Sequence, residues 1–145
     1  MRARSTFIAL AVVSYAAVPK AQPVYRAQDS DFIDTYDEVI RDTASFRALW
    51  ALSGGSTATG KGAKMPNINF SRKMVIVAAG PSTSPPDSVV IKPDAKAKGV
   101  FTVVHYRECK PSSTKVMPID IIAVPADPGS VLFRDKVVKG EACAS

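Results

Sequence analysis

The sequence predicts an α+β fold: one main helix packed on a largely antiparallel sheet of five to seven strands. Two observations carry this. Phe46, Leu49 and Trp50 recur at i, i+3 and i+4 behind the capping residues Asp42 and Thr43, the spacing of a single apolar helix stripe. The later chain then breaks into short β-branched segments separated by Pro- and Gly-containing turns, with no second helical period.

Taken in order, the chain opens with Arg2 and Arg4, an apolar stretch from Phe7 to Val18, and small residues through Ala21. This is the three-part pattern of a secretory signal over residues 1–21, and its apolar part is too short to cross a bilayer core of roughly 30 Å as a helix. No cysteine stands beside it, so a lipid anchor is not expected, and the product is expected to be periplasmic or secreted. Residues 22–36 are polar, acidic and aperiodic, and read as a flexible lead-in. The domain proper is expected over residues 37–145.

A short strand is expected at Glu38 to Ile40, then the helix, stopped at Gly54-Gly55 where positive φ costs little. Trp50 on the helix stripe reads as a core anchor packing under the sheet. Lys73 to Ala79 is apolar at successive positions, as a central strand covered on both faces requires. The following loop holds Pro81, Pro85 and Pro86, which cannot donate to a ladder. Strands are then expected at Ser88 to Lys92 and Gly99 to Arg107, the latter with Phe101, Val103 and His105 on one face. Met117 to Val124 follows, with Asp120 facing opposite to Ile119 and Ile121 and with Pro118 confined to an edge or first position. Val131 to Phe133 and Lys136 to Val138 are expected as a last pair.

The 145 residues carry a formal charge of +6, but Arg2, Arg4 and Lys20 lie in the signal, leaving 16 basic against 13 acidic residues. Their distribution is uneven. Asp29, Asp31, Asp34, Asp37, Glu38 and Asp42 oppose only Arg26 and Arg41 in residues 22–42, so the excess of base lies further along the chain. The basic residues are scattered rather than striped, which argues against nucleic acid as a partner.

No catalytic, cofactor-binding or metal-binding set emerges. Gly55-Ser56-Thr57-Ala58-Thr59-Gly60-Lys61 fits seven positions of a phosphate-binding loop, but the eighth is Gly62 where Ser or Thr must hold Mg²⁺, and the loop follows a helix instead of a strand. His105 is the only histidine and no Cys-x-x-Cys or His-x-His spacing exists, so it reads as structural. No serine lies in Gly-x-Ser-x-Gly, and Ser112-Ser113-Thr114-Lys115 lacks the Ser-x-x-Lys order. Asp120 reads as an outward-facing or hydrogen-bonded strand residue. Asn69-Phe70-Ser71 matches a glycosylation acceptor, a tripeptide common by chance. In an exported chain the pair Cys109 and Cys143 reads as a disulfide, whose loop of about 35 residues would contribute roughly 3–4 kcal/mol.

The helix closing on Trp50, Pro66-Asn67-Ile68-Asn69-Phe70, Met74-Val75-Ile76 with Gly80, Val90-Ile91, Phe101 to Val104, Pro118 to Pro125 and Val131-Leu132-Phe133 follow one another in an order that resembles the C-terminal domain of the PrcB family. These are small exported proteins described as subunits of protease complexes. The resemblance runs from Val39 to Phe133 and rests mainly on apolar, fold-determining positions. One departure is Pro85-Pro86-Asp87-Ser88, where the family tends to carry a Gly-Gly-Tyr hairpin. The resemblance brings no catalytic residue. It implies an accessory or regulatory subunit that binds an exported protease, and the physical routes open to such binding are edge-strand addition and insertion of the loop Pro81 to Asp87. The alternative expectation is an envelope module binding an anionic glycan or lipid surface through Lys92, Lys96, Lys98, Arg107 and Lys110. A hydrolase would have to work through His105.

Overall fold

The computed structural model describes residues 21–27, 30–32, 34–53, 64–80, 88–107 and 117–139. The signal, the glycine stop at Gly54-Gly55, the phosphate-loop-like run, the Pro81–Asp87 loop and the Cys109–Cys143 pair lie outside these residues.

The fold is α+β. Seven strands, mostly antiparallel, and one helix occur among the described residues, in the order β1 (Gln22–Ala27), β2 (Tyr36–Ile40), α1 (Thr43–Leu52), β3 (Lys73–Ala79), β4 (Ser88–Pro93), β5 (Val100–Arg107), β6 (Ile119–Pro125) and β7 (Leu132–Lys139). They form two sheets where one continuous sheet was expected: β1-β6-β3-β2 and β4-β5-β7. The helix covers one face of the first sheet and the second sheet covers the other, so the first sheet is the middle layer.

The helix begins as its sequence predicts. Asp42 is the N-cap, its Oδ1 accepting the Ser45 N–H at 2.8 Å and its Oδ2 the Ser45 hydroxyl at 2.7 Å. It ends at Ser53, whose N–H reaches the carbonyls of Leu49 and Trp50. Phe46, Leu49 and Trp50 are buried against Val75, Val77, Ile119 and Ile121. Tyr25 meets Trp50 edge-on, with ring centroids 5.2 Å apart, so the tryptophan is the core anchor its position on the stripe suggests.

Strand β3 is the axis of the molecule. Val75, Val77 and Ala79 face the helix, and Met74, Ile76 and Ala78 face the second sheet, which is why no polar residue interrupts Met74 to Ala79. Ile122 and Val124 of β6 join Val89, Ile91, Phe101 and Val103 in that second core.

Two expectations are corrected. The segment read as a flexible lead-in supplies β1, antiparallel to β6 from Gln22↔Ala123 to Ala27↔Ile119 with an irregularity between Pro23 and Tyr25. Its aperiodic sequence conceals the strand because backbone pairing, the packing of Val24, Tyr25 and Ala27 on the helix-side core and the Arg26–Asp120 pair hold it, rather than an apolar alternation. The expected last pair is instead one strand, β7, which runs parallel to β5 from Val100↔Leu132 to Arg107↔Lys139. Arg134 and Asp135, which suggest a turn, are exposed residues of an edge strand.

The turns are tied by specific contacts. Gly99 has φ +75°, and a Cβ there would stand 2.9 Å from the Ser130 carbonyl oxygen, while its own carbonyl accepts the Leu132 N–H. Arg41 donates to the carbonyls of Asp127 and Gly129, joining the end of β2 to the β6–β7 turn. Asn69 Oδ1 accepts the N–H and hydroxyl of Ser71, closing the turn that enters β3.

Candidate functional site

One cross-strand row on the inner face of the first sheet reads Arg26, Asp120, Ala78, Asp37 across β1, β6, β3 and β2. Both aspartates therefore point between the sheets, separated only by the small Ala78. Their surroundings differ completely.

Asp120 is 1% exposed. Its carboxylate accepts two bonds from the Arg26 guanidinium, at 3.1 and 3.2 Å, and the Ile91 N–H at 2.7 Å. It is the hydrogen-bonded strand residue that was one of the two readings open to it. With its lone pairs committed to the chain, it holds β4 against β6 and offers no base to a substrate.

Asp37 sits at the other end of the row. Burial holds its carboxyl above the usual carboxylate range, the nearby Asp135 raises it further, and His105 offsets part of the rise. Its Oδ1 is inaccessible to solvent and accepts no hydrogen bond from the described residues. His105, whose Cε1 would lie 3.1 Å from a Cβ on Gly80, places Nε2 3.4 Å from Asp135 Oδ1. Asp120 thus bridges the sheets at one side through Ile91, while at the other Asp37 of the first sheet lies within electrostatic reach of the His105–Asp135 pair of the second. No group of three His, Cys, Asp or Glu side chains among the described residues is arranged to hold a metal ion.

The outer face of the second sheet is different in kind. Lys92, Thr102 and Arg134 form one row, and Val90, Val104 and Lys136 the next. A shallow cleft of about 440 Å³ runs here between Lys92, Lys96, Tyr106 and Lys136. Lys92 Nζ donates to the Tyr106 hydroxyl at 3.0 Å. Asp94 also lines this cleft, but its carboxylate accepts the N–H groups of Lys96 and Ala97, which hold its pKa low. Among the described residues Asp94 is the acidic group lining this cleft, and β7 stands beside the cations as an edge strand.

A second concavity of about 370 Å³ opens between the sheets below the β4–β5 turn, floored by Met74, Phe101 and Val124. At its mouth Lys98 pairs with Asp127 at 3.1 Å.

Of the basic residues singled out from sequence, Lys92 and Lys96 come together on the outer face, Lys98 is drawn off to Asp127, and the Arg107 side chain and Lys110 lie outside what the structure describes. Arg134 and Lys136 were missed. Their i, i+2 spacing in a β-branched context was the available signal. No helix among the described residues is long and apolar enough to cross a membrane. Compared with protein-family models, with curated proteins and with solved structures, the chain matches none.

Proposed function

We propose that this chain is an exported, periplasmic or secreted, non-enzymatic protein-binding module, an accessory or regulatory subunit of a protease in the same compartment. The observation that carries the reading is β7, an eight-residue edge strand exposed along most of its length, which offers backbone hydrogen bonding to an incoming strand. The resemblance of the Val39 to Phe133 region to the PrcB family supplies the protease as the partner of choice. The commitment of Asp120 to internal bonds is in keeping with a binding role.

Affinity capture with the tagged mature chain from its own envelope and culture fluid, at low and high salt, tests this. Retention of a protease at both salt concentrations is the expected result, and capture of none counts against it. With export goes the pairing of Cys109 with Cys143: alkylation without prior reduction is expected to add no mass.

The cationic outer face favours a second reading, an envelope module on an anionic glycan or lipid surface. Its signature is capture lost at high salt, because exposed charges are screened beyond about 8 Å at physiological ionic strength.

A further inference from the structure

Self-association is the first possibility for any open edge, and the charges of β7 oppose it. Two copies of β7 paired antiparallel about a twofold axis must set residues of the same face opposite each other. With the axis at Arg134, that residue meets its own copy. With the axis at Lys136, the lysines meet. With the axis at Asp135, the aspartates meet and Arg134 faces Lys136 of the other copy twice. Like charges directly opposite destabilise a pair, so the registers centred on Arg134, Asp135 or Lys136, which pair the most of the strand, are disfavoured.

The same residues favour a different strand. Arg134 and Lys136 lie on the outer face, where Lys92 and Lys96 add to the positive field. Phe133, Asp135 and Val137 alternate with them on the inner face, where Asp135 is engaged by His105 and Val137 is 48% exposed. An incoming strand would place its side chains about 5 Å from these, one for one.

Resting on the protein-binding reading, we propose that β7 is the docking edge for an extended partner segment with the pattern apolar, acidic, neutral, acidic, apolar, set opposite Phe133, Arg134, Asp135, Lys136 and Val137. The two acidic residues meet the two outer cations. The neutral position avoids repulsion from Asp135, and the last apolar residue covers Val137. Backbone bonds supply most of the affinity and the charges supply the choice of partner.

The test uses the full exported chain and a fluorescein-labelled peptide, Ser-Thr-Val-Glu-Thr-Glu-Val-Thr-Ser, followed by anisotropy against a control with Lys in place of both Glu. The expected result is binding of the acidic peptide about tenfold tighter than the control, and inversion of that preference in the Arg134→Glu/Lys136→Glu variant. The single variant Lys136→Glu, changed at one exposed position, gives a partial loss and serves if the double variant folds poorly. Equal binding of the two peptides, or an unchanged ranking in the variants, overturns the proposal. So does binding to phosphatidylglycerol vesicles, lost on charge reversal, with no binding to either peptide. Capture distinguishes the two levels of the argument. A protease retained equally by wild type and the reversed variant leaves the subunit reading standing and removes β7 as its edge. Peptide preference that inverts while neither chain retains a protease does the opposite.

Discussion

The Asp120 carboxylate on β6 accepts the backbone N–H of Ile91 on β4 at 2.7 Å, so a side chain of one sheet completes the hydrogen bonding of an edge strand of the other. A buried carboxylate is costly unless its oxygens are filled. Here Arg26 supplies the remaining donors while keeping about half of its side chain in solvent.

Removing that carboxylate strands the Ile91 N–H. Asp120→Ala is expected to cost on the order of 3 kcal/mol, the sum of an unsatisfied buried donor and a lost charged acceptor. Arg26→Ala leaves the buried carboxylate with the Ile91 N–H but without its counter-charge, and is expected to cost about 2 kcal/mol, less than Asp120→Ala because water can enter where the half-exposed guanidinium stood. Urea unfolding of the two variants checks the ranking, and equal costs would contradict it.

Asp37 has the opposite sign. Its carboxyl binds its proton more tightly in the fold than in the unfolded chain, where 3.8 is the ordinary value. The fold therefore gains stability from this group as pH falls through the raised pKa, fully below about 3.8, and loses it as pH rises. Asp37→Asn removes the charge that burial and Asp135 oppose. Relative to wild type it is expected to be more stable at pH 7, with the difference shrinking toward pH 4. Denaturant midpoints of both chains across that range decide the matter, and a less stable variant at pH 7 would refute it.

Trp50→Ala deletes the indole between Phe46 and Tyr25 and is expected to cost about 3–5 kcal/mol. The thermal midpoint should fall by at least about 6 °C, at about 2–8 °C per kcal/mol for domains of this size. An unchanged midpoint would remove the residue from the core.

Gly99→Ala meets two obstacles, a left-handed backbone and the Ser130 carbonyl at 2.9 Å. A cost of roughly 1–3 kcal/mol is expected from the backbone alone. Gly80→Ala, whose nearest neighbour is the movable His105 ring at 3.1 Å, is expected to cost less. Comparing the two variants by chemical denaturation tests the distinction.

How much of this was legible depended on whether the deciding interaction was local. The helix could be placed from Asp42 and its stripe, and β3 from its unbroken apolar run, because each signal lies within a few residues of its effect. Strand β1 escaped because its partner β6 stands far along the chain and its own pattern is broken by Pro23 and Arg26. The division into two sheets escaped for a related reason: Lys73 to Ala79 signals burial on both faces but not whether helix or sheet provides each cover. In the candidate site, the face of Asp120 could be deduced from alternation. The meeting of Asp37, His105 and Asp135 could not, since it joins three strands from two sheets.

The parallel pairing of β5 with β7 constrains the order in which the molecule can be assembled. Between these neighbours the chain leaves their sheet, lays β6 into the middle layer, and only then returns. The edge on which β7 would receive a partner thus exists only once the chain has passed through the middle layer and β7 has returned to pair with β5. A protein that binds there is reading a finished domain, and a truncated or half-folded chain would present it with nothing to hold.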